Sequence, residues 1–228
     1  MTINYNPSIV TSGLVFYVDA ANPRSYSGSG TIWKDLSGNG LDLTMQGSVI
    51  WNSTGYFNNW STANYFARTN SDVWSYVPLG NTDRTVIAFA EMGSISGYQH
   101  VLHYGNGGVV NQTYGIATLS GNVSDHRWGT SNIGTNTLVT GSRYMLSNRH
   151  SAIYTGARQG VNLTYQDLTT ITTADTASGQ FRVGLRAGPE AEPWPADGKI
   201  YTVMIYNRAL TDNEMTQNFN ATRGRYGI

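Results

Sequence analysis

Glu190 and Glu192 stand two residues apart, the spacing that puts neighbouring strand residues on one face. Two carboxylates flanking one bond, about 5–9 Å apart, are what glycoside hydrolysis requires. This pair, however, lies in Gly188-Pro189-Glu190-Ala191-Glu192-Pro193, whose Gly and Pro residues read as a loop. Glu91 has no acidic partner within four residues. The chain has no Cys, and no Gly-x-Ser-x-Gly elbow follows a strand and opens a helix. His100 and His103 are three apart in a segment that reads as a strand, so strict alternation points them to opposite faces. His126 and His150 are isolated. No catalytic residue and no enzymatic activity are expected.

Two other residue sets could bind rather than react. Asp35 and Asn39, in Asp35-Leu36-Ser37-Gly38-Asn39-Gly40, offer oxygens in a tight turn, and Asp19 could approach them. Calcium takes six to eight oxygen ligands, often from such turns. The alternative is that Asp35 caps its own turn through backbone N–H groups. No cofactor is required by this sequence, and calcium is the one candidate. Trp60, Trp74, Trp128 and Trp194 lie in loop-like stretches, with Trp194, between Pro193 and Pro195, the best placed for exposure. Exposed aromatics stack on sugar rings. They also anchor protein interfaces, and the sequence leaves both uses open for Trp194, Trp128 and Trp74.

The elements that must position these residues read as β-structure. Only 12% of the 228 residues are charged, and Tyr, Trp and Phe make up another 12%. Thr and aromatics favour strands, and Gly and Asn favour the turns between them. Gly13 to Ala20 is an uninterrupted apolar run, the mark of a strand buried on both faces. Further strands are expected at Ile32-Trp33, Leu41 to Trp51, Tyr65 to Thr69, Thr85 to Met92, His100 to Tyr104, Tyr114 to Leu119, Ser151 to Tyr154, Phe181 to Leu185 and Lys199 to Tyr206. Turn signals separate them, which is the rhythm of a sandwich or barrel. In the last strand, alternation puts Ile200, Met204 and Tyr206 on one face and Tyr201, Val203 and Ile205 on the other. One helix is expected from Thr211, where Thr211 and Glu214 form a capping box and Leu210 packs on Met215. Met215 and Phe219 share its buried face, and Gly224 is its stop.

Fourteen basic residues balance fourteen acidic ones with no run of either sign, so a nucleic-acid partner, which needs a basic patch, is not expected. Only two of the basic residues are lysine, Lys34 and Lys199. No apolar stretch approaches the about 20 residues of a membrane-spanning helix, so no membrane insertion is expected. Met1 to Val10 lacks the basic start and apolar core of a secretory signal. A weakly charged surface suits close contact with other proteins.

Two segments together resemble the concanavalin A-like lectin/glucanase superfamily, in its laminin-G-like form. The first is Gly13-Leu14-Val15-Phe16-Tyr17-Val18-Asp19-Ala20-Ala21-Asn22-Pro23 with Thr31-Ile32-Trp33-Lys34-Asp35-Leu36-Ser37-Gly38-Asn39-Gly40. The second is Gly198 to Thr211, ending in Arg225-Tyr226-Gly227. The opening segment is particularly similar to domains of tailed-bacteriophage virion proteins. The resemblance implies an all-β fold: an antiparallel two-sheet sandwich, a jelly roll, with one short C-terminal helix. It implies that the N- and C-terminal strands are neighbours and that Trp33 and Tyr206 pack in the core or at its rim. Residues 1–228 would form a single domain, with 1–12 as an N-terminal contact arm. The function it implies is a non-enzymatic structural protein of a tailed-phage virion, assembled in the host cytoplasm. Capsid decoration is the first expectation. A carbohydrate-binding tail or adhesion module that recognises host glycans is the alternative. The expected partners are other virion proteins of capsid or tail, in multiple copies or as a homo-oligomer, with a host glycan as a further partner.

Overall fold

The computed structural model describes residues 8–127, 131–151, 156–169, 173–188 and 194–228. Among these, sixteen strands precede one helix. They are β1 (Leu14–Asp19), β2 (Ile32–Trp33), β3 (Leu43–Gln46), β4 (Ile50–Asn52), β5 (Tyr56–Asn58), β6 (Tyr65–Arg68), β7 (Arg84–Met92) and β8 (Tyr98–Gly105). The series continues with β9 (Thr113–Leu119), β10 (Asn122–His126), β11 (Ser131–Ile133), β12 (Arg143–Ser151), β13 (Gly156–Val161), β14 (Thr164–Leu168), β15 (Gln180–Val183) and β16 (Gly198–Tyr206), followed by α1 (Asp212–Tyr226).

Two antiparallel sheets form the expected sandwich. One runs β14-β13-β12-β7-β16-β5-β4, with β1 also on β16; the other runs β11-β10-β9-β8-β15-β6-β3-β2. The two chain ends meet as expected: Leu14 to Asp19 of β1 pair with Thr202 to Tyr206 of β16. The opposite edge of β16 pairs with β7 from Gly198 to Tyr206. The apolar runs in β7 and β16 are explained by what covers them. Val86, Ala88, Val203 and Ile205 face the inter-sheet core with Phe16, Phe57 and Leu102. Ile87, Phe89, Met204 and Tyr206 face outward and are covered by Met215, Phe219 and Tyr226 of α1. Burying each such side chain stabilises by about 1.5–3 kcal/mol. Trp33 is fully buried, its ring 4.6 Å from Phe57 and 5.2 Å from Phe66.

The helix begins as its sequence dictates. The Thr211 hydroxyl accepts the Glu214 N–H, and the Glu214 carboxylate accepts the Thr211 N–H at 2.9 Å. Its end differs from expectation. Gly224 lies inside the helix, and the stop is Gly227 in the left-handed region at φ 68°. Helical conformation is open to Gly224, whereas the positive φ that ends a helix without strain is the special property of glycine. Residues 8–12, part of the expected contact arm, run beside α1: Val10 N–H donates to Asn218 Oδ1 at 2.8 Å, and Tyr206 OH donates to the Val10 carbonyl at 2.9 Å.

Three strand expectations need correction. The segment Leu41 to Trp51 is not one strand: β3 lies in the second sheet and β4 in the first, with the chain turning at Gly47. The segment from Ser151 belongs to a strand that begins at Arg143; residues 152–154 lie outside the described residues. In β16, Ile200 joins Val203 and Ile205 toward the core, while Tyr201 joins Met204 and Tyr206. A β-bulge explains it: Ile200 pairs with Ala90 and Thr202 with Phe89, leaving Tyr201 as an extra residue. One inserted residue reverses the facing of everything on one side of it.

Candidate functional site

An open cleft of about 540 Å³ lies where three segments meet: Asn58 to Trp60 at the end of β5, Glu91 and Gly93 at the end of β7, and Pro195 to Lys199 at the start of β16. The β7–β16 pairing places Glu91 opposite Lys199. Gly93 N–H donates to the Asp197 carbonyl at 2.9 Å, fixing the turn before β16. Asn59 takes a left-handed φ of 68° and ties its side chain to the Ser48 carbonyl at 2.8 Å. Trp60 is buried against Gly184, where a Cβ would stand 2.0 Å from the indole ring. Only glycine allows this approach, so Gly184 sets the position of Trp60.

Polar groups converge here. Glu91 pairs with Lys199 at 2.6 Å and Arg143 at 3.1 Å and accepts from Tyr201 OH at 3.2 Å. Burial is the largest influence on Glu91 and pushes its pKa up, but the hydrogen bonds from Lys199 and Arg143 prevail and hold it below the ordinary carboxylate value. Burial first, and then the Glu91 charge, push the Tyr201 phenol well up. Lys199 Nζ sits 5.0 Å from the Tyr56 ring centroid, and Tyr56 packs edge-on against Tyr201 at 5.6 Å. Asp197 is exposed. Trp60 Nε1, a donor, and Asn58 Oδ1, an acceptor, are both buried without a hydrogen-bond partner. The arrangement sets a carboxylate, an ammonium and a guanidinium beside one another at the rim of the cleft.

The residues singled out from sequence are placed as follows. Trp194 is half-buried and immediately precedes the cleft. Its ring stacks on Tyr98 at 4.6 Å, and the Arg186 guanidinium lies 4.1 Å from its centroid. Trp74 is half-buried in a 3-10 turn, Ser71–Ser75, and packs on the main core. Trp60 is buried, with 9% exposure. Trp128, Glu190 and Glu192 lie outside the described residues.

His100 and His103 do not face opposite ways. Their rings meet at 4.7 Å, because a bulge leaves Val101 as an extra residue between His100, opposite Ala117, and Leu102, opposite Ile116. Among the described residues no group of three or more His, Asp or Glu side chains could hold a metal.

Asp35 caps its own loop. Oδ1 accepts from the backbone N–H of Tyr17 and of Ser37, both at 2.9 Å. Oδ2 accepts from Ser37 Oγ at 2.7 Å and the Leu41 N–H at 3.1 Å. Asn39 Nδ2 donates to the Val15 carbonyl at 2.9 Å, so this loop covers the free edge of β1. Asp19 is fully buried, accepts from the Ala21 N–H at 2.9 Å, and pairs with Arg225 of α1.

Sequence reasoning missed the cleft itself. Glu91 and Asp197 are far apart in the chain, and only the β7–β16 pairing brings them together. The one local signal was Asn58-Asn59-Trp60, a polar pair beside an aromatic.

No family model matches the sequence, and no curated protein matches it. Solved structures do resemble the fold. Trypanosoma rangeli sialidase matches with a TM-score of 0.65 at 15% identity, over 96% of this chain and 34% of that one. The receptor binding domain of botulinum neurotoxin C/D mosaic serotype matches with 0.62 at 12%, over 93% and 52%. The binding domain of botulinum neurotoxin DC, solved in complex with SialylT, matches with 0.61 at 10%, over 92% and 52%. The chain thus spans about a third of the sialidase and about half of each toxin domain. At these identities the likeness establishes the sandwich fold.

Proposed function

We propose that this chain is a non-enzymatic binding module that recognises carbohydrate, carried on the particle of a tailed bacteriophage. The observation that carries the binding reading is the cleft at Asn58, Trp60, Glu91 and Asp197, where a buried donor and a buried acceptor lack protein partners. Sugar hydroxyls both donate and accept, which suits a cleft lined by amide, indole and carboxylate side chains. The likeness to a toxin binding domain solved with SialylT supports the same reading. The non-enzymatic reading rests on the sequence, which has no Cys, no Gly-x-Ser-x-Gly elbow and no closely spaced pair of acids within a strand. The virion setting rests on the opening segment, Gly13 to Gly40, and on the low charge of 12%.

Those two features also favour a second reading, a capsid decoration protein held in many copies by other virion proteins. Two experiments decide between them. Purified protein on a glycan array is expected to bind a restricted set of glycans and to release no free sugar from them. Imaging of purified particles locates the chain on capsid or tail. An array without signal, together with a capsid location, would leave decoration as the function.

A further inference from the structure

We propose that the cleft between Trp60 and Asp197 selects neutral saccharides and disfavours those that end in a carboxylate or sulfate. This rests on the carbohydrate reading above and narrows it. Three charged side chains line the cleft: Glu91, Asp197 and Lys199. Lys199 is committed to Glu91 at 2.6 Å. Arg143, the second cation beside Glu91, is committed to the same carboxylate at 3.1 Å and to the Tyr226 carbonyl at 2.9 Å. Asp197 is exposed and makes no ion pair among the described residues. Its Oδ1 lies over the backbone of Gly93, where a Cβ would come within 2.5 Å of it. The net formal charge of the lining is therefore negative, and the charge facing an incoming ligand is a carboxylate.

An anionic sugar would meet that carboxylate with no unpaired cation among the described lining residues to offset it, and like charges brought together in a cleft repel more strongly than in open water. A neutral sugar would find complementary partners: Asp197 to accept from a hydroxyl, Trp60 Nε1 to donate, and Asn58 Oδ1 to accept. Hydrogen bonds to a charged acceptor are about twice as strong as neutral ones, so Asp197 is the main anchor. The volume, about 540 Å³, lies within the roughly 300–1,000 Å³ of small-ligand clefts and suits a short saccharide.

The test uses the full chain and matched probes: galactose-terminated oligosaccharides, the same oligosaccharides capped with sialic acid, and glucose- and mannose-terminated sets. Neutral probes are expected to bind, and sialylated ones to bind at least about tenfold more weakly. Asp197→Asn should weaken neutral binding by about tenfold and narrow the gap to the sialylated probes. Trp60→Phe removes the N–H donor together with part of the indole ring that packs on Gly184; it should weaken binding, read at a temperature below the melting transition of the variant. Sialylated probes binding as well as neutral ones would overturn the selectivity and leave the carbohydrate reading standing. Neutral binding untouched by both substitutions would overturn the placement in this cleft. Binding of no probe would overturn both.

Discussion

A carboxylate with four donors on two oxygens has little left to offer a metal. Asp35 is in that position, holding the backbone N–H groups of Tyr17, Ser37 and Leu41 and the Ser37 hydroxyl. Calcium would have to displace these and find several more oxygens. Chelation with EDTA is therefore expected to leave the melting temperature unchanged. Asp35→Ala should destabilise by about 1–3 kcal/mol, because it strands part-buried donors as well as removing bonds. Urea denaturation of both proteins, with and without added calcium, checks this; a rise in stability on adding calcium that Asp35→Ala abolishes would show a metal site instead. The role of Asp35 was legible in the sequence because an Asp-x-Ser-Gly-Asn-Gly turn acts over a few residues. The Trp60–Asp197 cleft was not legible, because its donors and acceptors come from three segments joined only by tertiary pairing.

At the scale of elements, α1 is bound to the sandwich by an acid-sensitive connection. Arg208 grips Glu214 at 2.9 and 2.6 Å, and this pairing first, opposed next by burial and then aided by the Thr211 bonds, lowers the Glu214 pKa from 4.5 to about 2. A carboxyl whose folded pKa is depressed stabilises fully above its unfolded value, and the contribution is lost as pH falls through the folded one. Stability is thus expected to drop between pH 4.5 and about 2, and in Glu214→Gln this part of the profile should flatten. Thermal melts followed by the helix signal in circular dichroism at several pH values test it; parallel profiles would refute it. The capping box could be read directly because its partners are three residues apart. The faces of β8 and β16 were misread for the opposite reason. Each carries one bulged residue, Val101 and Tyr201, and a bulge is fixed by the partner strand rather than by any local sequence signal.

For the whole molecule, the decisive arrangement is that the last strand is the middle of a sheet. β16 carries β7 on one edge and both β5 and β1 on the other, and its two faces fill both apolar clusters. The sequence announced this in the unbroken apolar runs of Leu14 to Val18 and Val203 to Tyr206, since a strand exposed on one face would alternate. The consequence is that the first sheet cannot be completed until nearly the whole chain is available. A fragment ending at Asp197 would leave the edges of β7, β5 and β1 unpaired and Phe16, Val86 and Phe57 without their cover. Loss of so many buried side chains, at about 1.5–3 kcal/mol each, exceeds the roughly 5–15 kcal/mol of stability that a domain has to lose. The fragment 1–197 is therefore expected to show no cooperative thermal transition, while adding a peptide of residues 198–228 should restore one. A cooperative melt of the fragment alone would mean that the second sheet, with β7 and β12, forms a self-sufficient core. Because the cleft is built from the β7–β16 junction, such a fragment would also be unable to form it, so glycan binding should return only together with the transition.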